Sequence, residues 1–354
     1  MRKRIYTLLS LLIAAFLIIV VLVWTAPSPN KQPNGFSRHY LRSSPLTTIT
    51  TIPADNILDI AGADDSLFYF SVLHQPATII TTSLKPGAVA DTFHIPLRAS
   101  FRDAVSEYFF TQVSNDNYFV FGYNIPAICK TGRTDSSTQT CMTLPAGGFS
   151  QGYLLRDEKH FVLRKLHVQE KDQLFVRTDF ESNSLLTENG LSELRRDGGM
   201  STDGTLTYDR STGHFTYLHF YSNRFFTFDS SLQRISDHHT IDTFTVSRFA
   251  TASSNDEGGQ VYTNAGPDQM INGFSCADKG ILYVQGKLKA DNDIADMFAT
   301  HCVIDLYEIS SGKYLGSYYL DIPARTKVNQ LFVQGDKLVV HCADKIYAIQ
   351  LAHS

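Results

Sequence analysis

An acidic run at residues 289–298, KADNDIADMF, holds the side chains that most resemble ligands for a metal ion. Asp291, Asn292, Asp293 and Asp296 could together offer oxygen atoms to a hard cation. Their spacing departs from the calcium-binding loop, because Ala295 stands where a ligand is needed and neither the glycine nor the distal glutamate is in register. We therefore expect a solvated acidic loop, with no metal and no other cofactor.

Histidine pairs are the second candidate for chemistry. His214 and His219 are five residues apart on one predicted strand, so their side chains point to opposite faces, and the adjacent His238 and His239 are separated in the same way. The sequence also lacks a GxSxG elbow, an HExxH helix and a phosphate-binding glycine loop. No catalytic residue is predicted from these patterns.

Cysteine spacing predicts a local crosslink. Cys129 and Cys141 flank a polar loop whose two ends would lie side by side in a β-hairpin, which favours a disulfide between them. Cys302 and Cys342 are a second candidate pair, which leaves Cys276 free. The sequence has no CxxC pair, so a thioredoxin-type redox function is not indicated.

The N-terminus predicts how the chain is held at a membrane. Basic residues 2–4 precede a nearly unbroken apolar run from Ile5 to Trp24, and about 20 helical residues cross a hydrocarbon core of about 30 Å. Because the basic residues precede the run, we expect the N-terminus in the cytoplasm and the remaining chain outside. The alternative is a cleaved signal peptide, which Trp24 and Pro27 disfavour because they spoil a small-x-small cleavage site.

This pattern predicts a single-pass signal-anchor protein of the bacterial inner membrane, with its C-terminal domain in the periplasm, where disulfides persist. The formal net charge of -4 gives no broad basic field, so nucleic acid is not an expected partner. Three segments follow from these boundaries: a cytoplasmic tip and transmembrane anchor (1–25), a tether rich in proline (26–45) and an ectodomain (46–354).

The ectodomain reads as an all-β repeat. Val303–Pro323 is the clearest unit, two strand-like runs joined by a glycine-containing turn, which is typical of the outer hairpin of a four-stranded blade. Similar units recur about every 50 residues, in the range of propeller repeats. Their first strands are predicted to begin at six positions: Ile57, Ala104, Gln151, Ser201, Met270 and Val328. The alternative is a pair of stacked sheets or two smaller β domains.

The last repeat lacks its outer strand. Leu46–Ile52 precedes the first repeat and has the length and β-branched composition to supply that strand. Pairing between the two would close the ring and leave no free sheet edge. The sequence therefore predicts a closed six-bladed β-propeller.

Two stretches exceed the repeat, Thr243–Gln269 and Lys287–Thr300. One follows an outer strand and the other a second strand, and in a four-stranded meander both kinds of connection leave from the same end of the ring. Tyrosine and arginine most often dominate protein contacts. We therefore predict that one face binds a partner through residues of the first stretch and of the preceding blade: Tyr221, Arg224, Arg248, Tyr262 and Asp268.

Three stretches carry a resemblance to a known family. They are VIDLYEISSGKYLGSYYLDIP, the closing VNQLFVQGDKLVVHCADKIYAIQL and the middle RFFTFDSSLQRISDHHTIDTF. They resemble uncharacterised bacterial cell-envelope proteins with a six-bladed TolB-like propeller, over most of the chain after the apolar run. The resemblance implies a scaffold and offers no catalytic residues.

Two classes of function are compatible with this scaffold. The preferred one is a membrane-anchored binding or assembly module for an envelope protein or polymer. The alternative is a metal-dependent hydrolase or lyase of the lactonase-like propeller kind, which fold analogy alone supports. Such an enzyme would need polar inner-strand residues to converge, and the candidates are Asp59, Glu107, Asn272 and Asn329.

Overall fold

The structure is a computed structural model. It describes residues 2–25, 33–42, 47–49, 52, 54–64, 67–83, 85, 88–123, 125–132, 139–145, 147–182, 184–256, 259–323 and 325–351.

Six four-stranded antiparallel sheets follow one another along the chain and form the blades of a β-propeller. Blades 1 to 3 consist of β2–β5 (Ile57–Ala63, Phe68–Val72, Gln75–Thr82, Asp91–His94), β6–β9 (Phe109–Ser114, Asn117–Gly122, Ala127–Gly132, Thr140–Thr143) and β10–β13 (Phe149–Leu154, His160–His167, Asp172–Asp179, Leu186–Thr187). Blades 4 to 6 consist of β14–β17 (Gly204–Asp209, His214–His219, Arg224–Phe228, Arg234–His239), β20–β23 (Asn272–Asp278, Ile281–Gly286, Cys302–Glu308, Tyr314–Leu320) and β24–β26 (Val328–Gln334, Lys337–Cys342, Ile346–Gln350) with β1 (Thr47–Ile49).

The remaining elements lie outside the blades. They are helix α1 (Arg2–Thr25), a 3₁₀ turn (Ala54–Asn56), helix α2 (Ala99–Val105), the hairpin β18–β19 (Thr251–Asp256, Gly259–Asn264) and helix α3 (Ala295–Thr300). Within α1, residues Arg4–Thr25 are long and apolar enough to cross a membrane, and none of this stretch is buried against the rest of the protein.

The N-terminal strand β1 closes the ring. It pairs antiparallel with β26, so that Thr47 lies opposite Ala348 and Ile49 opposite Ile346. The predicted closure and the predicted outer hairpin, β22–β23, are both confirmed.

Aromatic side chains fill the space between neighbouring blades, because two flat sheets about 10 Å apart need wide residues to interdigitate. Between blades 2 and 3, the rings of Phe121 and Phe161 meet edge to face with their centroids 5.7 Å apart. Between blades 3 and 4, Phe175 meets Tyr217 edge to face at 5.2 Å and packs on Phe228 in a tilted arrangement at 4.9 Å. All five side chains are buried.

Three of the predicted strand starts precede their strands. Ser201 and Met270 come shortly before β14 and β20, which begin at Gly204 and Asn272. Ala104 lies in α2, and the first strand of blade 2 begins only at Phe109. Helix α2 buries Val105 over Gly122, where a Cβ atom on the glycine would come within 2.5 Å of the valine side chain. The apolar residues of this helix therefore pack against the blade, which is why the stretch resembles a strand in sequence.

Residues 33–42, which we call the N-terminal strap, pack along the outer edge of blade 5. Tyr40 forms an isolated parallel bridge with Ser317 of β23, and the Leu41 amide donates to the Ser317 carbonyl oxygen at 2.8 Å. The Tyr40 ring stacks on Tyr319 with a centroid distance of 4.1 Å. The described part of the predicted tether therefore covers the edge of a sheet that would otherwise be open.

The cysteine predictions have mixed outcomes. Cys129 and Cys141 lie directly opposite each other on β8 and β9 and form a disulfide, as predicted. The second candidate pair is wrong, because Cys302 and Cys342 are free thiols, as is Cys276. All three are buried in the apolar cluster between blades 5 and 6, where a thiol packs as a small hydrophobic group.

Candidate functional site

The long connections gather at one end of the ring. We call this end the insertion face; it carries the connections after second strands and those leading into first strands, including residues 240–271 and 287–301. Backbone hydrogen bonds join these connections to one another, from Ile271 to Phe220 at 2.7 Å and from Lys287 to Ile271 at 3.1 Å. The two insertions therefore share one face, as the sequence predicted.

Tyr221 and Asp268 are brought together on the insertion face. Tyr221 lies in the connection after β15, and its ring packs on Phe249 with a centroid distance of 4.5 Å. Burial, with a contribution from the neighbouring Asp268 carboxylate, raises the pKa of Tyr221 to about 12. The phenol is thus protonated at neutral pH and donates to Asp268, which is itself exposed.

Tyr262 lies on the hairpin β18–β19, which forms a two-stranded sheet of its own. Its ring packs against Gly198, where an added Cβ atom would come within 3.2 Å of Tyr262 Cδ2. Its hydroxyl oxygen is buried and has no hydrogen-bond partner within the described part of the chain. Gly198 belongs to a third long connection, residues 188–203, which the sequence analysis did not single out.

The two predicted arginines are more exposed. Arg224 donates to Glu193 of the 188–203 connection at 3.2 Å, and Glu193 also pairs with Arg195. Arg248 is exposed, with its guanidinium 6.0 Å from the centroid of the Phe244 ring. Arg224 and Tyr262 therefore both contact the 188–203 connection, whereas Tyr221 and Asp268 pair with each other.

The acidic run is solvated, as expected, at Asp291, Asn292 and Asp296, which are exposed, but not at Asp293. Asp293 is buried and accepts a hydrogen bond from Arg38 of the strap at 2.9 Å. Asp305 of β22 accepts from the same guanidinium at 2.8 Å. Burial alone would lower the pKa of Arg38, but the two carboxylates raise it, so the side chain stays charged.

The rest of the run also holds the strap. Asp291 accepts from the backbone amides of Asn34 and Gly35, and Asn292 accepts from the amide of Arg38. Asp296 lies in the first turn of α3 and is exposed. The sequence carries no local signal for this contact, because the partners of Arg38 lie more than 250 residues away.

A cavity of about 990 Å³ runs through the centre of the ring and is lined by the first strands of all six blades. Three glutamines in the wall of this cavity link the first strands of neighbouring blades. Gln112, Gln151 and Gln330 each bond both a backbone amide and a backbone carbonyl of the next blade.

Asp59 occupies the corresponding position in blade 1. It accepts from the Thr111 amide of blade 2 at 3.3 Å and from the Ser71 hydroxyl. Burial raises the pKa of Asp59 to about 7, against one opposing hydrogen bond. This group therefore titrates near neutral pH inside the channel.

The four polar residues that the enzyme alternative needs do not converge. Asn272 donates to backbone carbonyls of His219 and Ser222, and Glu107 lies exposed in the turn after α2. Asp59 and Asn329 line the channel in blades 1 and 6. Among the residues that the structure describes, no three His, Cys, Asp or Glu side chains are placed to hold a metal ion together.

Comparison with known proteins supports the fold. No protein-family model and no curated protein matches the sequence. A solved structure of a DUF4221 family member from Bacteroides vulgatus is 9% identical, with a TM-score of 0.56 over 88% of this chain and 98% of its own. At this identity, the likeness shows the propeller fold alone.

Two lyase structures are also similar. An inactive virginiamycin B lyase from Staphylococcus aureus with quinupristin is 9% identical, with a TM-score of 0.49 over 87% of this chain and 99% of its own. A streptogramin B lyase is 11% identical, with a TM-score of 0.48 over 87% and 97% of the two chains. These scores are too low to transfer an activity. The TolB-like and cell-envelope resemblance stays a prediction.

Proposed function

We propose that this protein is a membrane-anchored, extracytoplasmic binding or assembly module that holds an envelope partner on its insertion face. Helix α1 is the single-pass anchor in the bacterial inner membrane, and the propeller lies outside the cytoplasm. The apolar length of α1 and the disulfide between Cys129 and Cys141 support this location. The partner surface includes Tyr221, Arg224, Arg248, Tyr262 and Asp268.

The hairpin β18–β19 is the observation that carries the proposal. It belongs to none of the six blades, and a two-stranded hairpin alone is marginally stable in water. Its Tyr262 ring seats it on Gly198, while Val261 beside it is exposed. Such an element adds little to the core of the ring, so a contact with a partner is the function it fits.

The test replaces Tyr221, Arg224 and Tyr262 together by alanine in the full chain. We expect the variant to fold and to lose about tenfold or more of the envelope partner that co-purifies with the wild-type protein, because tyrosine and arginine anchors dominate interfaces. The matched control replaces Arg156, Lys159 and Lys279, which lie at the other end of the ring, and should retain the partner. Loss of the partner in the control but not in the test variant would contradict the proposal.

A further inference from the structure

Exposed apolar side chains are unevenly distributed between the two ends of the propeller. On the insertion face, Ile294 is 65% exposed, Val168 58% and Tyr108 54%, and they belong to the connections of three different sectors of the ring. The same face exposes further large apolar residues: Leu73, Ile125, Leu194, Val246, Val261, Met270 and Met297.

The other end of the ring, which we call the opposite face, carries the turns after first strands and those after third strands. Among the described residues of these turns, one large apolar side chain is exposed, Val89 at 88%. Other exposed large apolar side chains lie on second and outer strands: Phe93, Leu166, Leu186, Ile235 and Leu315. Single exposed apolar residues are normal on any surface, whereas a set concentrated in the connections of one face marks an interaction surface.

The chain from α1 reaches the propeller at the insertion face. Asn34 donates to the Lys289 carbonyl at 2.8 Å and its amide donates to Asp291, both in the connection after β21. Its own carbonyl accepts from the Thr243 hydroxyl at 2.8 Å, in the connection after β17. The strap therefore begins at the end of the ring that exposes the apolar side chains.

The distance from the anchor to this point is limited by the chain. Residues 26–33 lie between Thr25, the last residue of α1, and Asn34. An extended chain spans at most about 3.5 Å per residue, so Asn34 lies within about 30 Å of the end of α1. If α1 spans the bilayer, the point where the strap meets blade 5 on the insertion face lies within this distance of the membrane surface.

We propose that the insertion face rests on the outer surface of the same bilayer that holds α1, with its apolar loop residues in the headgroup region. This inference rests on the proposed function in one respect, because it takes α1 as a membrane anchor. We propose lipid as the binding partner of the apolar surface, because the short connection to α1 keeps this face near the bilayer in every copy of the protein. A partner bound at Tyr221 and Arg224 is then one that lies at the membrane surface.

The insertion face combines exposed apolar side chains with charged groups of both signs. Lys289 lies in the connection of Ile294 and Met297 together with the exposed Asp291 and Asp296, and Lys171 lies in the connection of Val168 together with the half-buried Glu170. Apolar residues enter the boundary between headgroups and acyl chains to a depth of about 5–10 Å, and basic residues attract anionic lipids. Contacts at three sectors would fix the tilt of the ring, which attachment through one segment of chain cannot do.

The test uses the full chain in liposomes of phosphatidylethanolamine and phosphatidylglycerol that carry nitroxide-labelled lipid. A fluorophore is attached to Met297→Cys on the insertion face or to Val89→Cys on the opposite face. We expect the label at position 297 to be quenched about threefold or more relative to the label at 89, because quenching requires close approach to the lipid. Adding Tyr108→Asp, Val168→Asp and Ile294→Asp should remove that difference while the protein still floats with the liposomes.

The outcomes separate the two proposals. A chain that does not float with the liposomes would overturn both the anchor and the docking. A chain that floats with equal, weak quenching at both positions would overturn the docking alone, and so would a triple aspartate variant that is quenched like the parent. Crosslinking of two copies through position 297 without quenching would assign the face to self-association instead of lipid.

Discussion

The two ends of the propeller use polar side chains differently. On the opposite face, carboxylates join neighbouring blades: Asp209 of blade 4 accepts from the Gly280 amide of blade 5 at 2.6 Å, and Asp278 of blade 5 accepts from the Gly335 amide of blade 6 at 3.0 Å. In the predicted partner site on the insertion face, Arg224 makes one exposed ion pair. The carboxylates of the opposite face therefore help to hold the ring together, whereas the proposed partner site contributes little to it.

The strap and Asn272 are exceptions on the insertion face, because both make buried polar contacts there, and the strap gives the largest expected effect. Arg38→Ala would leave Asp293 and Asp305 buried without their cation, and breaking a buried pair in this way costs about 3–5 kcal/mol of the free energy of unfolding. Chemical denaturation measures the loss. The control Arg102→Ala, in an exposed pair with Asp103, should change stability by less than about 0.5 kcal/mol. Equal losses would show that the strap does not hold blade 5.

Asp59, in the channel between the two faces, should make stability depend on pH. Its pKa is raised in the folded state from 3.8 to about 7, so the folded protein holds the proton more tightly and this contribution is lost as pH rises from about 4 through 7. Asp59→Asn mimics the protonated group. At pH 8 we expect it to raise the free energy of unfolding by about 2–4 kcal/mol and to flatten the pH profile of Tm. If Asp59→Asn left the dependence of Tm on pH unchanged, the raised pKa of Asp59 would be contradicted. The control is Asp55→Asn, at an exposed position.

On the opposite face, Asp209→Ala should cost about 1–3 kcal/mol, because it leaves the Gly280 amide of the next blade without its acceptor. Burial opposes ionisation of Asp209, but hydrogen bonds from Ser211 and Gly280 lower its pKa overall. Its contribution is therefore present above about pH 4 and is lost as pH falls below that value. Chemical denaturation of the wild-type protein and of Asp209→Ala at pH 7 and pH 3 measures both effects. If the substitution lowered the free energy of unfolding equally at both pH values, the ionised Asp209 carboxylate would not be the stabilising group.

The smallest effect is expected in the partner site. Arg224→Ala removes a half-exposed pair with Glu193 and should change the free energy of unfolding by less than about 0.5 kcal/mol. If this variant were destabilised as much as Asp209→Ala, the contrast between a structural face and a binding face would be wrong.

The architecture could be predicted because its signals are local. Strand alternation, turn residues and repeat spacing identified six blades, and the missing outer strand of the last repeat identified β1 as the closure. The strap could not be predicted, because Arg38 and Asp305 are 267 residues apart and each is an ordinary charged residue in its own stretch. The burial of Asp293 within the acidic run could not be predicted for the same reason.

The candidate site was predicted only in part. Sequence spacing placed both insertions on one end of the ring, but it gave no reason to expect the Tyr221–Asp268 pair or the packing of Tyr262 on Gly198. Asp59 was named as a polar inner-strand residue. Its environment depends on Thr111 of the next blade, which only the folded ring brings close.

The closure by β1 and the strap has a consequence for biosynthesis. Residues 33–49 precede every blade in the sequence, yet their partners β23 and β26 belong to the last two blades in chain order. Strand β1 must therefore wait unpaired, without aggregating, until β26 has been made. An anchor that stays in the membrane would keep this waiting strand beside the emerging C-terminal blades, and so raise their effective concentration at the moment of closure.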